Sequence, residues 1–278
     1  MKITILMVVT YILWCIRIGT KPCKFFQLNA LYFDRQEGIY SKIAIDNRIP
    51  EKWRLEQFYD DGVREPRQYP AFLKPEWGQN AKGIIKVNDV RELHTARKEL
   101  SQQGIRYLVQ EGTTKCHEFE IFTIRHHKEP QSFSVFTITE AVNSHESSPI
   151  NSIYNGNTRY VEITDQLSEP DKHRLWQYVS EIGSFNISRM SAKSNSISEL
   201  LDGKFDIIEI NLFLPMPINM LDQKYSWTDL WGMIRYYMLC LARNTWARDK
   251  TRETKPVFTK IMLYDRRSKL LNYLRSKI

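Results

Sequence analysis

The chain has 278 residues, 42% of them hydrophobic and 12% aromatic, enough for a substantial core and too many for a disordered chain. Its formal charge of +8 and pI near 9.2 favour anionic partners such as nucleotides, nucleic acid or a phospholipid surface, without choosing among them. That length predicts one large domain, or a main domain with a lobe.

The first element is the apolar run ITILMVVTYILWCI, residues 3–16, with Lys2 before it and Arg17 after it. It is short for a bilayer span, which takes about 20 residues. No small-residue cleavage site follows it. A buried helix or strand of the folded body is the first expectation, a membrane-surface anchor the second and a cleaved signal the third. Cys15, Cys23, Cys116 and Cys240 lack CxxC spacing, which speaks against a zinc cluster or disulfide framework and suits a reducing cytosol. A cytoplasmic protein is expected, with membrane association as its variant.

Residues 20–68 are irregular. DNRIPEKWRLEQF predicts a helix capped by Asp46 or Asn47, with Pro50 in its first turn. Clearer alternation follows: a strand over 70–75, a loop over 76–82 and a strand over 83–87. NDVRELHTARKELSQQG predicts an amphipathic helix capped by Asn88 or Asp89 and ended by Gly104. IRYLVQEG, HEFEIFTIRH and SFSVFTIT read as strands, and 141–157 as a Ser/Asn-rich loop. SEPDKHRLWQYVSEIG opens a helix at Ser168. SFNISRMSAK and KFDIIEINLFL read as paired strands, followed by helices over about 226–246 and 265–277. The order is α+β, with antiparallel strands and segregated helices. Basic residues thicken only from Arg243 to Lys255 and at Arg266, Arg267 and Lys269. Such runs are ordinarily solvated faces, and no nucleic-acid partner is expected.

Four stretches carry chemistry. In YPAFLKPEWGQNAKGI, Gly78 and Gly83 allow backbone amides to approach an anion. Gln79, Asn80 and Lys82 add donors, and Lys74 adds a point charge. Neither GxxxxGK[ST] nor GxGxxG is present, so a hairpin with a snorkelling lysine stands as the alternative. In YLVQEGTTKCHEFEIF, Gln110 and Glu111 close a strand and Glu118 opens the next; a carboxylate there suits ribose hydroxyls, or is simply solvated. In KFDIIEIN, Glu209 and Asn211 share one strand face, which suits Mg²⁺ or pairing with a basic residue. In NISRMSAK, Arg189, Ser191 and Lys193 alternate onto one face, to serve an acidic substrate or to balance Glu209.

In their order and spacing, these stretches resemble the ATP-grasp superfamily, and most closely the D-alanine–D-alanine ligase-like carboxylate–amine ligases. The resemblance covers about residues 40–220. It implies two α+β lobes with antiparallel sheets holding ATP between them. Lys74 and the loop from Gly78 to Gly83 would lie on the phosphates, Gln110 and Glu111 at adenine, Glu118 at ribose, Glu209 and Asn211 on Mg²⁺. Arg189 would be the catalytic arginine at the reacting carboxylate. It also implies an acyl phosphate that an amine or thiol attacks, with a small carboxylate and an amine acceptor as partners. The same comparison divides the chain into an atypical N-terminal segment (1–68), a small lobe (69–112), a large lobe (113–225) and a helical extension (226–278). Two departures matter. Ser191 stands where the family places a metal-binding aspartate, for which Asp206 is a candidate substitute. Pro215 and Pro217 in LFLPMPINM remove amide donors where the family has a glycine-bearing turn. A nucleotide-binding regulatory or scaffold protein with little or no ligase activity is the alternative.

Overall fold

The computed structural model describes residues 2–78, 81–101, 105–146 and 148–249. Gln79, Asn80, Gly104, most of the C-terminal basic run and the helix expected over 265–277 lie outside the described residues.

The chain is mixed α+β, with two antiparallel sheets. The smaller holds β1 (Gln57–Tyr59), β2 (Ala71–Pro75), β3 (Ile85–Val87) and β4 (Tyr107–Glu111), ordered β1-β4-β2-β3. Helix α3 (Val90–Leu100) starts at Asp89, whose carboxylate accepts the Glu92 amide at 2.9 Å. It lays Leu93, Ala96 and Leu100 against Leu73, Val87 and Val109. These three keep to the amphipathic face expected of the helix, whereas Val90, expected on the same face, is exposed at its first turn.

The larger sheet holds β5 (His117–Arg125), β6 (Phe133–Val142), β7 (Arg159–Glu162), β8 (Ile187–Ser194) and β9 (Asp206–Asn211), ordered β7-β6-β5-β8-β9. Side chains alternate across a strand, so β5 sends Phe119 and Ile121 one way and Glu118, Glu120, Phe122 and Ile124 the other. Phe119 and Ile121 meet helix α4 (Glu169–Ile182) through a core that includes Leu175, Trp176, Val179 and Trp53. Ser168 caps α4, accepting from the Asp171 amide. After the short α5 (Ile197–Leu201), α6 (Trp227–Asp249) covers Phe122 and Ile124 through Ile234, Met238 and Leu241.

The helix expected from Asp46 onward does not form. The short α2 (Lys42–Asp46) precedes it, capped by Ser41, whose hydroxyl accepts the Ala44 amide at 3.2 Å. Beyond it the backbone is claimed by strands. Trp53 accepts the Ile207 amide at 2.8 Å, Arg54 bridges Ile207, and Phe58 pairs with Val109. Pairing with β9 and β4 requires an extended chain from Arg54 onward, and Trp53, in the turn before it, is fixed by donating from its indole to the Gly203 carbonyl at 2.9 Å. Strand β7, just beyond the loop expected over 141–157 and marked by no pattern in the sequence, pairs with β6.

The apolar run becomes α1 (Lys2–Ile18). One face (Leu6, Met7, Tyr11, Cys15) packs into the same cluster as α6. The expectation of a buried element is corrected on the other face, where Ile5, Val8, Val9, Ile12, Leu13 and Ile16 are exposed. None of the described helices is long and apolar enough to cross a membrane.

Asn29, 2% exposed, ties the N-terminal segment to the large sheet. It donates to the Ile187 and Leu212 carbonyls at 2.7 and 3.1 Å, and accepts from the Asn186 amide at 3.0 Å. Asn29→Leu leaves three buried groups unpaired, each worth about 1–3 kcal/mol. A fall of at least about 2 kcal/mol in urea-unfolding stability is expected, and an unchanged midpoint would remove this tie from the account.

Candidate active site

Cross-strand partners share a face, so register alone assembles the site. On the large sheet Glu118 pairs with Lys193, and Glu120 with Ser191. Ser191 in turn pairs with Glu209, and Arg189 with Asn211. This face is apolar where α6 covers it and charged where it opens into a cleft of about 1110 Å³, mouth included. The small sheet forms the opposite wall with Phe72, Lys74, Gln110 and Glu111. Lys74, Gln110, Glu111, Glu118, Arg189, Glu209 and Asn211 therefore come together around one cavity.

Lys74 is buried, which replaces the snorkelling alternative. Its Nζ donates to Gln110 Oε1 at 2.5 Å, and Gln110 Nε2 donates to the Ile208 carbonyl at 3.0 Å. The β8/β9 register shifts beside Ser191 and leaves Ile208 out of the pairing. Burial pushes the Lys74 ammonium down to about 8, with Glu209 nearby acting against that shift. Glu111 accepts from the Arg67 amide at 2.5 Å, and the Glu111 and Gly112 amides donate to Glu56 and Pro70 carbonyls. Those hinge groups are engaged within the chain.

Each carboxylate of the large-sheet face has a cation at hand. Glu118 accepts from Ser191 Oγ at 3.2 Å and from Asn151 Nδ2 at 3.0 Å, with Lys193 Nζ at 3.9 Å. Burial raises its pKa against those three partners. Glu120 lies 3.1 Å from Arg189 Nε, and burial lifts it to about 7 despite that guanidinium. Glu209 lies 3.7 Å from Lys42 Nζ, which also donates to the Pro75 carbonyl at 3.1 Å. Burial opposes its ionisation, yet Lys42, Lys74 and Arg189 together hold it below the ordinary range.

Gly78, Lys82 and Gly83 stand back from the cavity wall, to which Ala81 and Ile84 of the same loop contribute. Gly83 takes φ +75° against Pro75 and Tyr107, a conformation that favours glycine. The Lys82 ammonium lies 5.3 Å from the Tyr154 ring, so the loop meets segment 148–154 across the cleft mouth. Gln79 and Asn80 lie outside the described residues.

Asp206 does not stand in for the absent aspartate. It accepts from Thr113 Oγ1 and from Lys115 Nζ at 2.6 Å, behind Thr113 and not itself in the cavity lining. Among the described residues no three His, Cys, Asp or Glu side chains converge as a metal site. Glu209 and Asn211 offer one carboxylate and one amide oxygen, Asn211 Oδ1 also accepting the Phe213 amide at 3.1 Å. Mg²⁺ commonly takes one or two carboxylates and completes its shell with phosphate and water. The donor set fits one Mg²⁺ arriving with a polyphosphate.

Sequence reasoning missed Lys42, Glu120, Asn151 and Tyr160. Glu120 was legible, since it alternates with Glu118 on β5. Lys42 directly follows the cap residue Ser41. Asn151 and Tyr160 carried no signal, because a loop and a short edge strand deliver them.

No family model and no curated protein matches the chain. Among solved structures it is similar to the L-amino acid ligase of Bacillus licheniformis, with 16% identity, 72% of this chain and 47% of that one covered, and a TM-score of 0.46. It is also similar to the VanG D-Ala:D-Ser ligase of Enterococcus faecalis (13%, 72% and 61%, TM-score 0.49). A third likeness is to the D-alanine–D-alanine ligase of Bacillus anthracis complexed with ATP (14%, 82% and 68%, TM-score 0.47). The chain thus spans 47% and 61% of the length of the first two.

Lys74 supplies positive charge to an anion only while protonated. With burial holding its pKa near 8 in the free protein, Lys74 is expected to contribute fully to triphosphate affinity below that pH. Above it, affinity should fall by up to about tenfold per pH unit, one proton being taken up on binding. Lys74→Ala should bind about 10–100-fold more weakly at neutral pH, the worth of a charged hydrogen bond, and lose this pH dependence. Calorimetric titration with inorganic triphosphate checks both; an unaltered profile in the variant would assign the titration elsewhere.

Proposed function

We propose that the chain is an ATP-grasp protein that binds ATP with Mg²⁺ in this cleft and joins a small carboxylate to an amine or thiol. The observation that carries the reading is the convergence of Lys74, Glu118, Arg189, Glu209 and Asn211. They are scattered over 138 positions of sequence and gather on two facing sheets.

On this reading Lys74 draws the phosphates toward the small sheet, while Glu118 exchanges Asn151 for ribose hydroxyls. Mg²⁺ held at Glu209 and Asn211 would neutralise charge on phosphate oxygens. Arg189, released from Glu120, holds the substrate carboxylate in line with the γ-phosphorus. The carboxylate oxygen forms a bond to that phosphorus as the bond to ADP breaks. The amine then displaces phosphate from the acyl carbon. The residues contribute positioning and charge stabilisation.

A second reading, a nucleotide-binding regulatory protein with little turnover, is favoured by Ser191. That residue is neutral, and it donates to Glu118. Release of ADP and phosphate dependent on both a carboxylate and an amine, across amino acids and dipeptides, supports the ligase. ATP binding without such release throughout the panel supports the second reading, and absence of ATP binding rejects both.

Ser191 pairs with Glu120 on one side and Glu209 on the other. Ser191→Asp therefore adds a carboxylate between two others. Its melting temperature in EDTA is expected to fall, and Mg²⁺ with ATP to restore more of it than in the parent. Mn²⁺ affinity should rise roughly tenfold, the scale of one added charged contact. A variant whose stability ignores divalent ions would place the metal away from these strands.

A further inference from the structure

We propose that the outward face of α1 is a membrane-surface docking site, which seats the protein on a lipid leaflet rich in anionic headgroups. The proposal is independent of the chemistry assigned to the cleft. Ile5, Val8, Val9, Ile12, Leu13 and Ile16 are 57%, 50%, 48%, 37%, 60% and 68% exposed. Their spacing of three and one repeats along the helix and draws one continuous apolar stripe. The opposite face is occupied: Tyr11, Cys15 and their neighbours pack into the cluster shared with α6.

The ends of the stripe are cationic. Lys2 and Arg17 are exposed, Lys21 is exposed just beyond the helix, and α1 contains no Asp or Glu. Trp14 Nε1 donates to the Arg235 carbonyl of α6 at 3.1 Å, which fixes the C-terminal half of α1 against that helix. An apolar stripe bounded by basic side chains, with no acidic residue along it, is the composition of an interfacial helix. Its 17 residues extend about 25 Å at 1.5 Å each, short of a hydrocarbon core of about 30 Å. With one face fixed against α6, the helix can lie in the plane of the interface and cannot cross it.

Charge decides between lipid and a second copy. A two-fold contact through this stripe brings the Lys2 and Arg17 ends of two helices together with no carboxylate on either α1 to receive them. Anionic headgroups receive them directly. Geometry also permits the seat. None of the described residues of α1 or α6 lines the cleft, so docking there leaves the site open to soluble ligands.

Flotation of the full-length protein with vesicles of phosphatidylcholine, alone or mixed with phosphatidylglycerol, tests the proposal. Binding to the mixed vesicles is expected, weaker binding to phosphatidylcholine alone, and a loss on the mixed vesicles as salt is raised. Val9→Glu/Leu13→Glu should lower the partition coefficient at least about tenfold, since two buried apolar side chains become charges. Ile5→Gln/Ile16→Gln should lower it less, and both variants should keep the parent melting temperature, the replaced side chains being exposed. Failure to float with either vesicle overturns the proposal, as does equal binding to both. So does a concentration-dependent dimer that Val9→Glu/Leu13→Glu dissolves, which would assign the stripe to a second copy.

Discussion

The site depends on one buried bracket, in which Lys74 donates to Gln110 and Gln110 donates to Ile208. A lone ammonium in a protein interior is costly, and an amide oxygen cannot neutralise it. Its charge is supported at longer range by Glu209, Glu118 and Asp46. The bracket therefore links two facts that look separate. The small sheet keeps a cation facing the cleft because the large sheet keeps carboxylates opposite it. The register shift beside Ser191, which leaves Ile208 outside the β8/β9 pairing, gives Gln110 its acceptor. Straightening that strand would take a partner from the residue that orients Lys74.

The large sheet solves a related problem along its length. The face that carries Glu118 and Glu120 continues into Phe122 and Ile124, under α6. Apolar packing anchors the strands at one end, so the charged end can remain open without loosening. Each carboxylate there then has a cation from a different element: Lys193 and Arg189 from β8, and Lys42 from α2. A polyanion entering the cleft competes with glutamates for those cations. What it gains in charge contact is offset by the partners it displaces.

Much of this was legible in the sequence because β-strands have a period of two. Glu209 with Asn211, and Arg189 with Ser191 and Lys193, fall on common faces without any knowledge of tertiary structure, and α3 and α4 announce their caps. The helix predicted from Asp46 failed for a reason no local pattern contains. The chain turns at Glu51–Trp53 and is then tied through Trp53 and Arg54 to Ile207, more than 150 positions away. Lys42 was missed for the same reason: its meaning lies in its distance to Glu209. The apolar run read correctly as part of the folded body, but periodicity could not say which face α6 would leave uncovered.

Ser191 follows from these constraints. It stands between Glu120 and Glu209 in the ladder and reaches Glu118 with its hydroxyl. Cross-strand neighbours lie about 5 Å apart, and like charges placed opposite one another destabilise a sheet. An aspartate at this position would add a fourth carboxylate to the cluster and make the empty cleft dependent on a divalent ion. A hydroxyl instead donates to one glutamate and leaves the others to Arg189 and Lys42. The strands can then close with their carboxylates balanced inside the chain. With serine at position 191, the positive charge that these glutamates need comes from fixed lysine and arginine side chains.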